Sequence, residues 1–394
     1  MPHIKVKPFD RAIVEKKIPQ STLLKFRATA INRGDELWGV VLEDREFLLQ
    51  VKYFEDYTLI KYDKVTRPLK VNLLKEALSQ VANELGLEII ASNITQHKET
   101  QFASAYEKQI TDFESLSVFP KEKVCVEVGF GSGRHLLYQA KKHPDTLYIG
   151  LEIHTPSAQQ VLKQIELQGL ENIWVVNYDA RLFLEMLPSN LLETIFVHFP
   201  VPWDKKPHRR VISPSFLSES MRVLRKGGRL ELRTDSDNYF WYALETFFGV
   251  PKTHVEVRKN EALEITSKYE ARWLRMEKDI YDLYVTSLET SEPKTLTVDF
   301  NFNIVKYGKG LESCLPSKAV VEEDYFVHIE RGYQIGEERL LVKCSLGSFD
   351  RPEHKYILID EKRARYFVSP PVKTSVNHKA HQKLTELLSH VQCN

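Results

Sequence analysis

The central third of the chain contains short, continuous apolar runs that alternate with segments of helical spacing. Such runs are typical of strands buried on both faces. They cover residues 124–128, 147–151, 173–177 and 194–199, and two further predicted strands, residues 229–233 and 281–286, carry charged or polar residues among the apolar ones. The alternation of strands and helices predicts an α/β domain over residues 116–290, in which helices cover both faces of a mostly parallel sheet.

Both ends of the chain show a different pattern, in which shorter alternating runs are separated by charged turns. In each case the runs are followed by proline and then by one segment of helical spacing, at residues 71–85 and 380–391. We therefore predict a small α+β extension over residues 1–115 and a β-rich extension ending in a helix over residues 291–394. The pattern leaves open whether the two ends are related or form one joint module.

Length, net charge and cysteine spacing limit the kinds of protein that this chain can be. A length of 394 residues favours two or three domains, and a net charge of only +1 means that any affinity for nucleic acid must come from a local basic patch. The four cysteines have no metal-ligand spacing, so we expect reduced thiols, no metal site and a cytoplasmic location. No apolar leader and no run of about eighteen apolar residues is present, so we expect neither secretion nor membrane spanning.

A glycine-rich turn follows the first central strand. After Glu127 the sequence continues with Gly129, Gly131 and Gly133, and a segment with helical patterning begins at Arg134. Glycines permit positive φ and let a ligand approach the main chain at a helix N-terminus, so the unit is typical of nucleotide binding. A plain strand-to-helix connection is the alternative.

Three successive strands end near a carboxylate. These carboxylates belong to Glu127, Glu152 and Asp179, and Glu152 lies nineteen residues after Gly133. Because the carboxyl ends of parallel strands face one crevice, the three acids predict a ligand site, with Glu152 at the spacing of a ribose-binding acid. Helix capping is the alternative, and it fits Asp179 best.

The loop after the fourth strand combines an aromatic residue with dense positive charge. Residues 199–203 are Phe-Pro-Val-Pro-Trp, and four of the next seven residues are lysine or arginine. Cations bind phosphates and Trp203 offers a face for a base, which favours a nucleic-acid strand as the ligand. A solvated basic loop with a buried tryptophan is the alternative.

Together these stretches resemble the bacterial tRNA (guanine-N7)-methyltransferase family, over residues 120–288. The matching pieces are the glycine turn, Gly150-Leu151-Glu152-Ile153-His154, Asp179-Ala180, the Phe-Pro-x-Pro-Trp loop with its basic tail, Arg233-Thr234-Asp235 and Ser267-Lys268-Tyr269-Glu270-x-Arg272. The resemblance implies a class I S-adenosylmethionine-dependent methyltransferase fold, flanked here by the two extensions. It also implies a tRNA substrate methylated at N7 of guanosine 46 in the variable loop.

The resemblance also implies roles for individual residues. S-adenosylmethionine would be bound by Glu127, Gly129, Gly131, Gly133, Glu152 and Asp179. The tRNA guanosine would be bound by Lys205, Asp235, Ser267 and Glu270. The charge and the aromatic face of the loop add Trp203, Arg209 and Arg210 as candidates for tRNA binding. Asp235 and Glu270 are the catalytic candidates, because a carboxylate near guanine favours the positive charge that develops on the base. A helix cap or a salt bridge is the alternative for each, and we expect a monomer without a metal.

One residue departs from the family pattern. The family has Asp between the two prolines of the loop, where this chain has Val201. Either the reaction tolerates the change, or Asp204 or Asp235 replaces the missing carboxylate, or activity is lost. A non-catalytic RNA-binding protein with a relic methyltransferase core is therefore the second hypothesis. A dinucleotide-dependent oxidoreductase is a third, which the basic loop disfavours.

Overall fold

The protein is seen in a computed structural model that describes residues 2–31, 34–66, 71–94, 104–114, 116, 118–262, 264, 278–294, 297–303, 305, 307–308, 310–311 and 314–389. The chain divides into two compact units. The central unit comprises residues 100–296, and the terminal unit combines residues 1–99 with 297–394.

The elements follow one another along the chain with few irregular segments. In the first part they are β1 (His3–Val6), α1 (Ala12–Lys17), β2 (Leu24–Ala30), β3 (Glu36–Leu42), β4 (Arg45–Tyr53), β5 (Thr58–Tyr62), α2 (Val71–Leu85) and β6 (Ile89–Ser92). In the central part they are β7 (Glu107–Lys108), β8 (Lys123–Val128), α3 (Arg134–Lys142), β9 (Thr146–Leu151), α4 (Thr155–Gln168), β10 (Ile173–Val176), α5 (Ala180–Met186), β11 (Leu192–His198), α6 (Pro214–Val223), β12 (Leu224–Thr234), α7 (Asp237–Phe248), β13 (Thr253–Lys259) and β14 (Tyr281–Ser287). In the last part they are β15 (Val320–Val321), β16 (Phe326–Ile335), β17 (Arg339–Gly347), β18 (Glu353–Ile359), β19 (Ala364–Phe367) and α8 (Ser375–Ser389).

The central unit is built on an eight-stranded sheet in the order β13-β14-β12-β11-β8-β9-β10-β7. Strands β7 to β12 run parallel, and β13 and β14 are antiparallel. Alternate residues of β8 enter two different cores: Val126 packs with α5, α6 and α7, whereas Cys125 packs with α3 and α4. The predicted α/β domain, with helices on both faces of a mostly parallel sheet, is therefore confirmed.

The chain reverses its direction of winding at β8. Strand β9 pairs on one side of β8 and β11 on the other, so the carboxyl ends of all three strands border one crevice. In open α/β sheets this switch point is where ligands bind. The sheet therefore presents the glycine turn and the loop after β11 at the same edge.

The two ends of the chain share one antiparallel sheet. Its order is β19-β18-β17-β16-β2-β3-β4-β5-β1-β6, with β15 added on β16. The halves meet where Ala30 pairs with Tyr333 and Thr29 pairs with Gln334. Each half contains a four-stranded meander followed by a helix: β2 to β5 precede α2, and β16 to β19 precede α8. A shared core that includes Phe26, Tyr356 and Phe367 joins the halves, so the ends form one joint module, an alternative that the sequence had left open.

Two other expectations concern cysteines and membranes. Cys125 and Cys344 are free, buried thiols, whereas Cys314 is disulfide-bonded. The expectation of reduced thiols is therefore wrong for Cys314, because residue spacing cannot report which thiols meet in space.

Among the described residues, no helix is long and apolar enough to cross a membrane, and no group of three or more side chains could hold a metal ion.

Candidate cofactor and nucleic-acid site

The glycine turn after β8 has the backbone that the sequence predicted. Gly129, Gly131 and Gly133 have φ angles of +68°, +53° and +69°, which favour glycine over any other residue. A Cβ atom added to Gly129 would meet no atom within 4 Å, so the turn faces open space there. A Cβ added to Gly133 would lie 2.4 Å from Cγ2 of Val161, so Gly133 permits the close packing of α3 on α4.

Glu152 is fixed beside this turn. Its carboxylate accepts hydrogen bonds from the main-chain N–H groups of Gly131, at 2.9 Å, and His154, at 2.8 Å. A carboxylate has about four acceptor positions, so two remain for hydroxyl groups of a ligand. The next residue, Ile153, is 70% exposed and offers an apolar surface beside that carboxylate.

Glu127 is buried at the end of β8, and its Oε2 atom lies 2.8 Å from Nδ1 of His135 on α3. The ring of His135 in turn lies 4.5 Å from that of His198, between centroids, at the end of β11. Burial, together with the nearby His135 and Arg233, holds the pKa of His198 well below its ordinary value. His198 is therefore a neutral imidazole at neutral pH.

Asp179 caps helix α5. Its carboxylate accepts a hydrogen bond from the main-chain N–H of Arg181, at 2.9 Å, and also pairs with the guanidinium of Arg181, at 2.7 Å. The capping alternative is thus present for Asp179. Its side chain is still 35% exposed, so capping leaves part of the carboxylate accessible.

The loop after β11 exposes the aromatic and cationic groups that the sequence singled out. Trp203 is 38% exposed, and the guanidinium carbon of Arg209 lies 5.2 Å from its ring centroid. Lys205 and Arg209 are exposed to solvent. The alternative of a buried tryptophan is therefore wrong, whereas Arg210, at the end of the same run, is only 6% exposed.

Asp235 lies between β12 and α7, at the same edge of the sheet. Its Oδ2 atom accepts from Nζ of Lys278 at 3.0 Å, so one cation already balances its charge. Lys278 is separated from it by 43 residues, and no local pattern could have predicted this pair. Ser267 and Glu270 lie outside the described residues.

Two further side chains, those of Ile153 and His135, lie beside the predicted carboxylates and were not among the predicted site residues. Ile153 carried a signal, since an apolar residue directly after the acid that ends a strand has no core to enter. His135 carried none, because its contact with Glu127 depends on how α3 packs over the sheet.

The central unit is similar to known proteins. The family model described as "Putative methyltransferase" matches residues 121–283. Among solved structures, the chain is similar to the antibiotic-resistance methyltransferase Kmr, with 20% identity over 43% of this chain and 89% of that chain and a TM-score of 0.34. Because this TM-score and this identity are low, the structural similarity supports no conclusion beyond the fold described above.

Relatives of known name match most of the chain. A tRNA (guanine-N(7)-)-methyltransferase of Wolinella succinogenes is 42% identical over 363 residues, covering 90% of this chain and 91% of that protein. A protein of the same name from Campylobacter jejuni (strain 81-176) is 39% identical over 393 residues, or 98% of each chain. The one from Helicobacter pylori (strain ATCC 700392 / 26695) is 41% identical over 352 residues, or 88% of each.

The similarity to these relatives includes both extensions and not only the central unit. The class I methyltransferase fold that the resemblance implied is confirmed, and S-adenosylmethionine is the methyl donor of such enzymes. The chain belongs to the tRNA (guanine-N(7)-)-methyltransferase family.

Proposed function

We propose that the protein transfers the methyl group of S-adenosylmethionine to N7 of a tRNA guanosine, the one at position 46 in the variable loop by family resemblance. One observation carries this proposal. The glycine turn with Glu152, and the exposed Trp203 with Arg209, lie at the same carboxyl-end edge of one parallel sheet. A nucleoside group and a nucleic-acid strand can therefore meet at this edge.

The residues present fit S-adenosylmethionine. The open turn at Gly129 lets a ligand lie against the main chain, and the free acceptor positions of Glu152 suit the two ribose hydroxyls. Ile153 would cover one face of the adenine, while Glu127 and Asp179 add negative charge around the cationic ligand. S-adenosylmethionine supplies an electrophilic methyl group on a sulfonium.

Methylation of guanine N7 requires little further chemistry from the protein. N7 carries a free lone pair, so no base has to remove a proton before attack. Bringing the two groups into line can contribute about 7–11 kcal/mol. In our proposal Trp203 stacks on a base, Lys205 and Arg209 bind phosphates, and Asp235 stabilises the positive charge that develops on the guanine.

Val201 is compatible with this mechanism. Its side chain is 60% exposed, so it occupies a position that faces solvent and not a packed core. A mechanism based on positioning has no need of a base at this point. Among the described carboxylates that could replace the family aspartate, Asp204 contacts Arg210 at 3.4 Å and Asp235 pairs with Lys278 at 3.0 Å. We favour Asp235, because it directly follows the carboxyl end of β12, at the edge where the two ligands would meet.

The test is transfer of labelled methyl from S-adenosylmethionine to unmodified tRNA, followed by chemical cleavage at 7-methylguanosine. We expect one labelled guanosine in the variable loop, and transcripts with that guanosine replaced by adenosine should accept no label. Tight tRNA binding without methyl transfer would contradict the proposal. It would favour the non-catalytic RNA-binding protein, the alternative suggested by Val201.

A further inference from the structure

Arg210 differs from every other cation in the loop after β11. Lys205, Lys206 and Arg209 are exposed, as is His208, but Arg210 is only 6% exposed. A buried guanidinium must be compensated by hydrogen bonds or by aromatic faces. The position of Arg210 in sequence suggests a phosphate contact, whereas its surroundings indicate a different use.

The contacts of Arg210 connect the loop to helix α7. Its Nε atom donates to the main-chain oxygen of Pro202 at 2.8 Å, and its Nη2 atom lies 3.4 Å from Oδ1 of Asp204. Its guanidinium carbon lies 4.6 Å from the ring centroid of Tyr242 and 5.3 Å from that of Tyr239. Both tyrosines are on α7, so one side chain holds two elements together.

The polar contacts of Arg210 are with Pro202 and Asp204, which flank Trp203 in a part of the loop with a strained backbone. Phe199 and Trp203 both have a φ angle of +48°, a conformation that residues with a Cβ seldom adopt. Such conformations persist only where the surrounding structure imposes them. The carbonyl bound by Arg210 belongs to Pro202, directly before Trp203, so Arg210 restrains the peptide group that orients the exposed indole.

We propose that Arg210 is a positioning residue, which braces the Pro200-Val201-Pro202-Trp203 segment on α7 and thereby sets the direction of Trp203. The brace needs the forked, planar guanidinium, because Nε and Nη2 donate in two directions while the flat face packs on Tyr242. A lysine retains the charge but has neither property. The effect on methyl transfer rests on the proposed function, whereas the effect on Trp203 does not.

The central experiment compares Arg210→Lys with Arg209→Ala, a change in the exposed neighbour. For Arg210→Lys we expect methyl transfer at saturating tRNA to fall by about ten- to a hundredfold, because a misplacement of about 1 Å can cost about a hundredfold. We expect unchanged S-adenosylmethionine affinity and an unchanged salt dependence of tRNA binding. Arg209→Ala should instead weaken binding and reduce the slope of log K against log salt by about 0.7–0.9, the value for one lost phosphate contact.

A second readout needs no RNA. Acrylamide quenching is measured for the protein and for Trp203→Phe, with and without Arg210→Lys, so that the difference isolates Trp203 from the other tryptophans. We expect the Trp203 contribution to become more accessible in Arg210→Lys. If Arg210→Lys fails to fold in a thermal melt, Tyr242→Leu removes the principal aromatic contact of the guanidinium and serves the same comparison.

Three results would overturn the inference: full activity of Arg210→Lys, a reduced salt slope in that variant, or an unchanged Trp203 signal. Any of them would mean that Arg210 acts only through its positive charge or only by stabilising the fold, and not by orienting Trp203. Absence of methyl transfer by the unaltered protein would contradict the proposed function but would not contradict the positioning role of Arg210. The quenching experiment would still decide the role of Arg210.

Discussion

At the scale of single residues, the carboxylates of the proposed site have hydrogen-bond or ionic partners within the protein. Glu152 is oriented by two main-chain N–H groups, Glu127 by His135 and Asp235 by Lys278. If these residues bind ligands as proposed, each carboxylate is already oriented, and less free energy is needed to order the site on binding. The cations Lys205, Lys206 and Arg209, in contrast, are exposed to solvent.

The first prediction concerns Glu152. Glu152→Gln keeps the shape of the side chain but loses the charge and two of the acceptor positions, and Glu152→Ala loses all contacts with the turn. We expect affinity for S-adenosylmethionine to fall by about 1.5–3 kcal/mol in Glu152→Ala and by less in Glu152→Gln. Isothermal calorimetry measures both. Equal affinity in all three proteins would exclude Glu152 from the cofactor site.

The second prediction concerns the exposed cations of the loop. Changing Lys205 and Arg209 together to Glu places two negative charges where phosphates are expected. We predict weaker tRNA binding and a flatter salt dependence, by about 1.4–1.8 in slope for two lost contacts. Gel-shift titrations at several salt concentrations measure this slope, with affinity for S-adenosylmethionine as the control for folding. Unaltered affinity and slope would mean that the RNA binds elsewhere.

At the scale of elements, the glycine turn links ligand access to helix packing. Gly129 and Gly133 share a positive φ, but only Gly133 lies against another helix. The two glycines therefore differ in their surroundings: Gly129 leaves the main chain open to approach, and Gly133 permits the packing of α3 on α4.

The third prediction separates strain from steric conflict at Gly133. Gly133→Ala meets both a positive φ and the contact with Val161, so we expect a loss of stability of about 2–4 kcal/mol. Gly169→Ala is the matched control, because Gly169 has a φ of +63° and no neighbouring atom within 4 Å of an added Cβ. It should cost only about 1–2 kcal/mol. Adding Val161→Ala should recover part of the loss at Gly133 but none at Gly169, as measured by urea unfolding.

The fourth prediction concerns pH and the Glu330 carboxylate on β16. A hydrogen bond from His354, then one from Lys343, lowers its pKa to about 2. Because the folded-state pKa is below the unfolded value, this stabilisation is present above about pH 4.5 and is lost as the pH falls towards 2. Glu330→Gln should be about 1.5–3 kcal/mol less stable at neutral pH. The difference between the two proteins should shrink below about pH 4.5 and vanish only near pH 2. A constant difference between their melting curves would contradict the assignment.

At the scale of the whole molecule, the terminal unit exists only because both ends of the chain are present. Strands β2 and β16 pair across the junction, and the shared core contains Phe26 and Leu48 from one end and Tyr356 and Phe367 from the other. Removing either end exposes that core to water. The N-terminal and C-terminal extensions are therefore one structural module in two segments of sequence.

The fifth prediction tests this by truncation. A chain of residues 100–394 keeps the C-terminal half without its partner, whereas residues 100–296 lack both halves. We expect 100–394 to aggregate or to melt at a lower temperature than 100–296, because it exposes an apolar face and an unpaired strand edge. Thermal melts and sedimentation compare the two. A monomeric 100–394 chain as stable as the full protein would show that the halves fold separately.

Much of the central unit could be read from local patterns. The apolar runs predicted its strands, the glycines predicted the turn, and the acids at strand ends predicted the crevice, because each depends on the backbone or burial of a few consecutive residues. The exposed Trp203 and Arg209 followed from the charge of their own loop. Contacts between residues far apart in sequence carried no such signal. The pairing of β2 with β16, the disulfide at Cys314, the ion pair between Asp235 and Lys278, and the inward direction of Arg210 all arise from packing. Only the folded chain brings these groups together. Its tertiary structure therefore decides that Arg210 is buried while Arg209, in the same loop, is exposed.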